Sequence, residues 1–179
     1  MKVVPTNTHK IQEEQIQELL EACTNTRDTF LLSLIYESGM RISEVLGLWI
    51  EDFSLDRGTI EIKNRGDLEN GVRLKSLNAP RIIVISNNIM NMFIEYIAKY
   101  HDDYVDTNHV FIKLTGDNKN QPMSYPDVDA LFKRLKKRTG IHATSNMLRY
   151  RLPTEKNQRR VDASSKKYRG SKSICKKEK

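Results

Sequence analysis

The string Tyr36-Glu37-Ser38-Gly39-Met40-Arg41-Ile42-Ser43-Glu44-Val45-Leu46-Gly47-Leu48 sets one arginine between a helix-ending glycine and a newly capped apolar helix. Such a corner restricts the backbone on both sides of Arg41. A guanidinium held there can present a rigid fork of donors to a phosphate. An arginine paired with Glu44, or capping the carbonyls of the preceding helix, fits the same spacing, and spacing alone does not choose. Metal chemistry has no comparable string. Cys23 and Cys175 are the two cysteines, with no CxxC and no Cys/His cluster, so neither a disulfide framework nor a metal site is predicted.

The chain has 179 residues, 38% hydrophobic and 30% charged, with a formal charge of +7. That length suits one domain with an appendage. The charge is uneven: residues 1–148 hold 18 Lys and Arg against 20 Asp and Glu, and residues 149–179 hold 12 against 3. A basic segment suits a polyanion such as nucleic acid, although many basic tails bind nothing specific. No run approaches the ~20 apolar residues of a membrane helix. The opening residues, MKVVPTNTHKIQEE, contain no apolar stretch of the signal-peptide kind. These features predict a soluble, cytoplasmic protein with no membrane partner.

The elements that must position Arg41 follow from apolar spacing. Ile16, Leu19, Leu20 and Cys23 give one apolar face to a helix over Glu13 to Cys23. Thr24-Asn25-Thr26 can cap the next, which carries Phe30, Leu31, Leu34 and Ile35 and stops at Gly39. A short helix near Ser43 to Leu48 follows, with Ser43 as a candidate cap. The period then changes: Thr59-Ile60-Glu61-Ile62-Lys63 and Arg81-Ile82-Ile83-Val84-Ile85 alternate and are rich in β-branched residues. Gly66, Asn70-Gly71 and Pro80 between them predict an irregular hairpin with a long tip. Ser86 and Ser124 open two further helices, separated by the apolar run Val110-Phe111-Ile112, and Gly140 ends the second. Beyond Leu152 apolar residues are too scarce to offset the entropy of ordering. The expected organisation is a short lead at 1–10, a domain at 11–152 and a disordered or poorly packed basic tail at 153–179. The expected fold class is α+β, mostly helical, with a small antiparallel sheet.

The string around Arg41 resembles the first-arginine box of the tyrosine recombinases, the phage integrase family, written T-G-L/M-R-I-S-E-L-L-x-L. Further segments follow in that family's order. The hairpin contains Lys75, where the family places a catalytic lysine. Its tip, Arg65-Gly66-Asp67-Leu68-Glu69-Asn70-Gly71-Val72-Arg73-Leu74-Lys75, resembles the transposase branch encoded by certain site-specific bacterial transposons. Asp129-Ala130-Leu131-Phe132-Lys133-Arg134-Leu135-Lys136-Lys137 comes next, then Gly140-Ile141. Asn146-Met147-Leu148-Arg149-Tyr150 stands at the family's H-x-L-R-H box. The resemblance covers about residues 10–155, and several motifs in order are more specific than any one alone.

The resemblance implies DNA strand exchange without a metal or cofactor and with no small-molecule substrate. Arg41 and Arg149 would neutralise the non-bridging oxygens of the scissile phosphate. Lys75 would give a proton to the leaving 5′ oxygen. A solvated turn lysine is the alternative for Lys75, with Arg73 and Arg81 as nearby basic substitutes. In the family a tyrosine near the C-terminus attacks phosphorus and forms a covalent link to the 3′ phosphate.

Departures from the pattern bear on activity. Asn146 and Tyr150 stand where the family has histidines, and Asn donates a hydrogen bond but does not shuttle protons near neutral pH. The L-G-H box aligns with Arg169-Gly170-Ser171, putting Ser171 at its histidine. A frame-shifted tail unrelated to the family fits that stretch equally well. Tyr150 and Tyr168 both precede the place expected for the nucleophile, and only a short lead stands where relatives carry a core-binding domain. The sequence therefore predicts a truncated integrase or transposase that binds DNA, belongs by descent to DNA integration and recombination, and does not cleave DNA alone. Its partners would be DNA and, as a further candidate, a full-length recombinase. The alternatives are a non-catalytic DNA-binding or regulatory module, and a non-specific nucleic-acid binder acting through the basic tail.

Overall fold

Helix starts coincide with polar residues whose side chains accept otherwise unpaired backbone N–H groups. The computed structural model describes residues 11–74 and 81–149. Helix α1 spans Glu13–Glu21 and α2 spans Thr26–Ser38. The Asn25 side chain accepts from the Asp28 N–H at 2.9 Å, and α2 ends at Gly39 with φ +66°, a conformation that costs glycine nothing. Phe30, Leu31, Leu32, Leu34 and Ile35 of α2 are all buried. That is apolar almost all round, as befits a central helix packed on several sides. It contacts α1 and three later helices.

Those later helices are α3, Ile42–Leu46, α4, Asn87–Tyr100, and α6, Ser145–Arg149; α5, Tyr125–Thr139, packs against α1. Ser86 caps α4, accepting from the Ile89 N–H at 3.3 Å. Its own backbone N–H and hydroxyl donate to the Glu37 carboxylate at 2.7 and 2.8 Å, which ties the end of α2 to the start of α4. Asp127 accepts from the Ser124 N–H and hydroxyl at the head of α5.

Three short strands form one antiparallel sheet in the order β1-β2-β3: β1 is Phe53–Ser54, β2 is Thr59–Ile62 and β3 is Arg81–Val84. Ile60 pairs with Ile83 and Ile62 with Arg81. Ile60 and Ile62 are buried, so Arg81 and Ile83 share the core-side face, while Ile82 and Val84 are exposed. An α+β fold, mostly helical with a small antiparallel sheet, is what the sequence led us to expect. One local expectation is corrected. Helix α3 is capped by Arg41, not Ser43, because Glu44 reaches back to accept the Arg41 N–H at 2.7 Å and starts the helix two residues earlier. Val110-Phe111-Ile112 is buried and forms no regular strand: the Val110 N–H donates to the Leu48 carbonyl, the Phe111 carbonyl accepts from the Met123 N–H, and Ile112 bridges Pro122.

The core is organised around Phe30, with Phe111 stacked at 5.2 Å and Tyr96 at 5.8 Å, and with Phe53 stacked on Phe93 at 3.9 Å. Such pairs add to the stabilisation from burial itself. Two histidines border this core. Burial pushes both His101 and His109 below the ordinary imidazole pKa; the Val110 carbonyl partly opposes this at His101 and Glu69 at His109. The unfolded chain therefore takes up protons that the folded state refuses, and stability falls as pH drops below about 6.5. Urea midpoints should decline from about pH 7.5 to pH 5.5, and His101→Gln with His109→Gln should flatten that decline.

Candidate phosphate-binding site

The corner between α2 and α3 is built by three consecutive residues. Gly39 turns the chain through the left-handed region, Met40 is fully buried and anchors the turn, and Arg41 follows in an extended conformation. Glu44 fixes the Arg41 backbone through the 2.7 Å bond described above. Its hold on the Arg41 side chain is looser: Nη1 lies 3.8 Å from Oε1, and the side chain is 48% exposed. The ion pair with Glu44 and the outward-facing fork, alternatives at the level of sequence, are thus both present.

Arg149 reaches the same corner from α6. Its Nε donates to the Gly39 carbonyl at 2.8 Å across 110 positions of sequence. A side chain at Gly39 would meet the Arg149 carbonyl at 3.8 Å, so the two backbones also run close together. Leu148, fully buried, holds α6 against the core. The bond from Arg149 lands two residues before Arg41, which brings both arginines to one corner. Asn146 sits on α6 one turn before Arg149 and is exposed; i, i+3 spacing puts the two on neighbouring positions of one helix face.

Of the basic substitutes considered beside Lys75, the structure separates two. Arg81 on β3 donates from Nη2 to Glu44 Oε2 at 2.7 Å and joins the corner. Arg73 is turned away from it, paired with Asp67 where residues 67 and 73 bridge in the hairpin tip. Lys75, Tyr150, Tyr168 and Ser171 lie outside the described residues, as do the lead at 1–10 and the basic tail.

The tip folds back onto the domain through contacts that no local spacing announces. Arg65 gives Asp52 two hydrogen bonds, at 2.6 and 2.9 Å, and its guanidinium lies 4.1 Å from the centre of the Trp49 ring. The Asn70 amide donates to the Leu46 and Met123 carbonyls at 3.1 and 2.8 Å. These bonds hold residues 64–74 against α3 and the segment before α5. Among the described residues no group of three or more His, Cys, Asp or Glu could hold a metal ion. Nor is any of their helices long and apolar enough to cross a membrane.

The chemistry available at the corner is anion binding. The Arg149 guanidinium is held there by a backbone carbonyl and the Arg41 side chain is half-exposed, and planar forks of donors suit the oxygens of a phosphate.

Comparison with known proteins gives this arrangement a context. The model of the phage integrase family matches residues 9–166. Transposase A from transposon Tn554 of Staphylococcus aureus is 31% identical over 155 residues, covering 87% of this chain and 43% of that protein. Tyrosine recombinase XerA of Pyrococcus furiosus is 26% identical over 163 residues, covering 90% and 52%. The chain thus spans about half the length of these curated relatives. Among solved structures, the Tn1549 transposon integrase in complex with transposon right end DNA superposes with a TM-score of 0.65 at 20% identity, over 79% of this chain and 50% of that one. The XerA recombinase crystal structure gives 0.63 at 20% identity, over 78% and 47%. At those identities the structural likeness establishes the fold.

Proposed function

The chain belongs to the phage integrase family, and from that footing we propose that it binds DNA by clamping a backbone phosphate between Arg41 and Arg149. The observation that supports this reading is the 2.8 Å bond from Arg149 Nε to the carbonyl of Gly39, two residues before Arg41. The clamp neutralises the non-bridging oxygens of the phosphate, and Lys75 is the proposed donor to the leaving oxygen. The working unit is residues 11–152, acting in DNA integration and recombination in the cytoplasm. The basic residues beyond it add salt-dependent, sequence-independent affinity.

Strand cleavage by this chain alone is not part of the proposal. Asn146, one turn before Arg149, offers hydrogen bonds but no proton transfer near neutral pH where the family motif has a histidine. That same residue favours a second reading: a regulatory module that occupies DNA in competition with a full-length recombinase. The test incubates the purified chain with a nicked suicide substrate made from the end of its own element. Binding without any covalent protein–DNA band is the expected result. A covalent band would overturn the proposed inactivity, and absence of DNA binding would overturn the clamp.

A further inference from the structure

We propose that Arg81 is a third phosphate ligand of this face, holding the DNA phosphate adjacent to the one at the Arg41–Arg149 corner. The inference rests on the DNA-binding reading above. Arg81 pairs with Ile62 at the end of the sheet and shares the core-side face with Ile83. Its side chain therefore leaves the sheet toward α3, not toward solvent beside Ile82 and Val84. There Nη2 meets Glu44 Oε2 at 2.7 Å, the oxygen that also accepts the Arg41 backbone N–H. The other oxygen of Glu44 lies 3.8 Å from Arg41 Nη1.

One carboxylate thus stands between two guanidinium groups, and the local charge remains positive. Both arginines are about half exposed, Arg41 at 48% and Arg81 at 51%, whereas Glu44 is largely covered at 10%. The pair offsets part of the cost of covering the Glu44 carboxylate and still leaves half of the Arg81 side chain open to solvent. A guanidinium carries five N–H donors, and among the described residues Glu44 receives a single hydrogen bond from Arg81. The rest of the fork can serve an anion. Two cations bridged by one carboxylate suit a ligand whose own charges repeat, and each DNA strand carries one about every 3.4 Å of helix axis. Arg81 also begins the strand that follows the hairpin carrying Lys75. A phosphate held by Arg81 would therefore tie the base of that hairpin to the clamp.

The test measures affinity of the full chain for a short mixed-sequence DNA duplex over a range of salt. It compares the unaltered chain, Arg81→Ala, Arg41→Ala, the double variant and Arg81→Lys. The basic segment contributes equally in all five. If Arg81 holds its own phosphate, Arg81→Ala makes the slope of log K against log salt shallower by about 0.9, with Arg41 present or absent. Arg81→Lys, which keeps the charge, restores the slope, and thermal melting confirms that each variant is folded. A change seen only when Arg41 is present would show that Arg81 acts through Glu44 on Arg41, and would overturn the proposal. No change in either background, while Arg41→Ala does lower the slope, would overturn it and leave the clamp standing. If Arg41→Ala also changes nothing, the clamp itself fails and the inference falls with it.

Discussion

Asp52→Ala lowers the stability of the domain by about 3 kcal/mol and its melting temperature by about 10 °C. The Asp52 side chain is 0% exposed and accepts two hydrogen bonds from Arg65, one from the Trp49 N–H at 2.9 Å, and an ion pair from Lys63. Removing one partner of a buried pair leaves the other charge poorly solvated, and this costs more than the pair contributes by forming. Arg65, 13% exposed, recovers part of its hydration, so the lower end of the usual range applies. Replacing both residues by apolar ones of similar size, Asp52→Leu with Arg65→Met, should restore part of the loss, because the Arg65 charge is no longer stranded and partly exposed Lys63 turns to water and Glu61. The Trp49 N–H still lacks its acceptor. The control is Asp67→Ala in the hairpin tip. Asp67 and Arg73 are exposed at 72% and 76%, and water replaces their pair without measurable change in the urea midpoint. Equal midpoints for Asp52→Ala and the unaltered chain would refute this assignment. A loosened Arg65 releases the base of the hairpin from Trp49.

Arg149→Ala should weaken DNA binding about ten- to hundredfold at fixed moderate salt and make the salt slope shallower by about 0.9. The first number reflects loss of charge-assisted hydrogen bonds, about 1.5–3 kcal/mol in total. The second counts one phosphate contact. Arg149→Lys separates geometry from charge. An ammonium retains the positive charge, so the slope is kept. It has no Nε to spend on the Gly39 carbonyl, so affinity is only partly recovered. Fluorescence anisotropy titrations at two salt concentrations read both quantities. If the lysine variant binds as tightly as the unaltered chain, Arg149 acts as a point charge and the bond to Gly39 has no positioning role.

Helix boundaries were readable because they depend on neighbours within four residues. Asn25 before α2, Ser86 before α4, Ser124 before α5, and Gly39 and Gly140 at helix ends are local choices of hydrogen bonding and backbone conformation. The start of α3 shows where that reasoning stops. Ser43 is the better cap by residue type, but Glu44 can reach the N–H of Arg41 and draws the helix start back to Ile42. Strand β1 has two residues, too few for any periodicity, and exists because Phe53 pairs with Ile60. The apolar run at 110–112 has strand-like composition, yet few backbone partners face it. Its side chains pack against Phe30 and Tyr96 without forming a regular strand.

From the sequence alone came the mostly helical α+β class, the succession of elements, the corner at Gly39 that restrains Arg41, and membership of a family through ordered motifs. All of these are encoded in short windows, where propensity, capping and spacing act directly. What only the tertiary structure decided is which distant groups meet: Arg149 with the Gly39 carbonyl, Arg81 with Glu44, and Arg65 with Asp52 and Trp49. The physical reason is that an arginine's position in sequence says little about its partner. A guanidinium on a long, flexible stem takes whichever carbonyl or carboxylate the packed core brings within reach, and the core is settled by apolar burial that the arginines themselves do not direct.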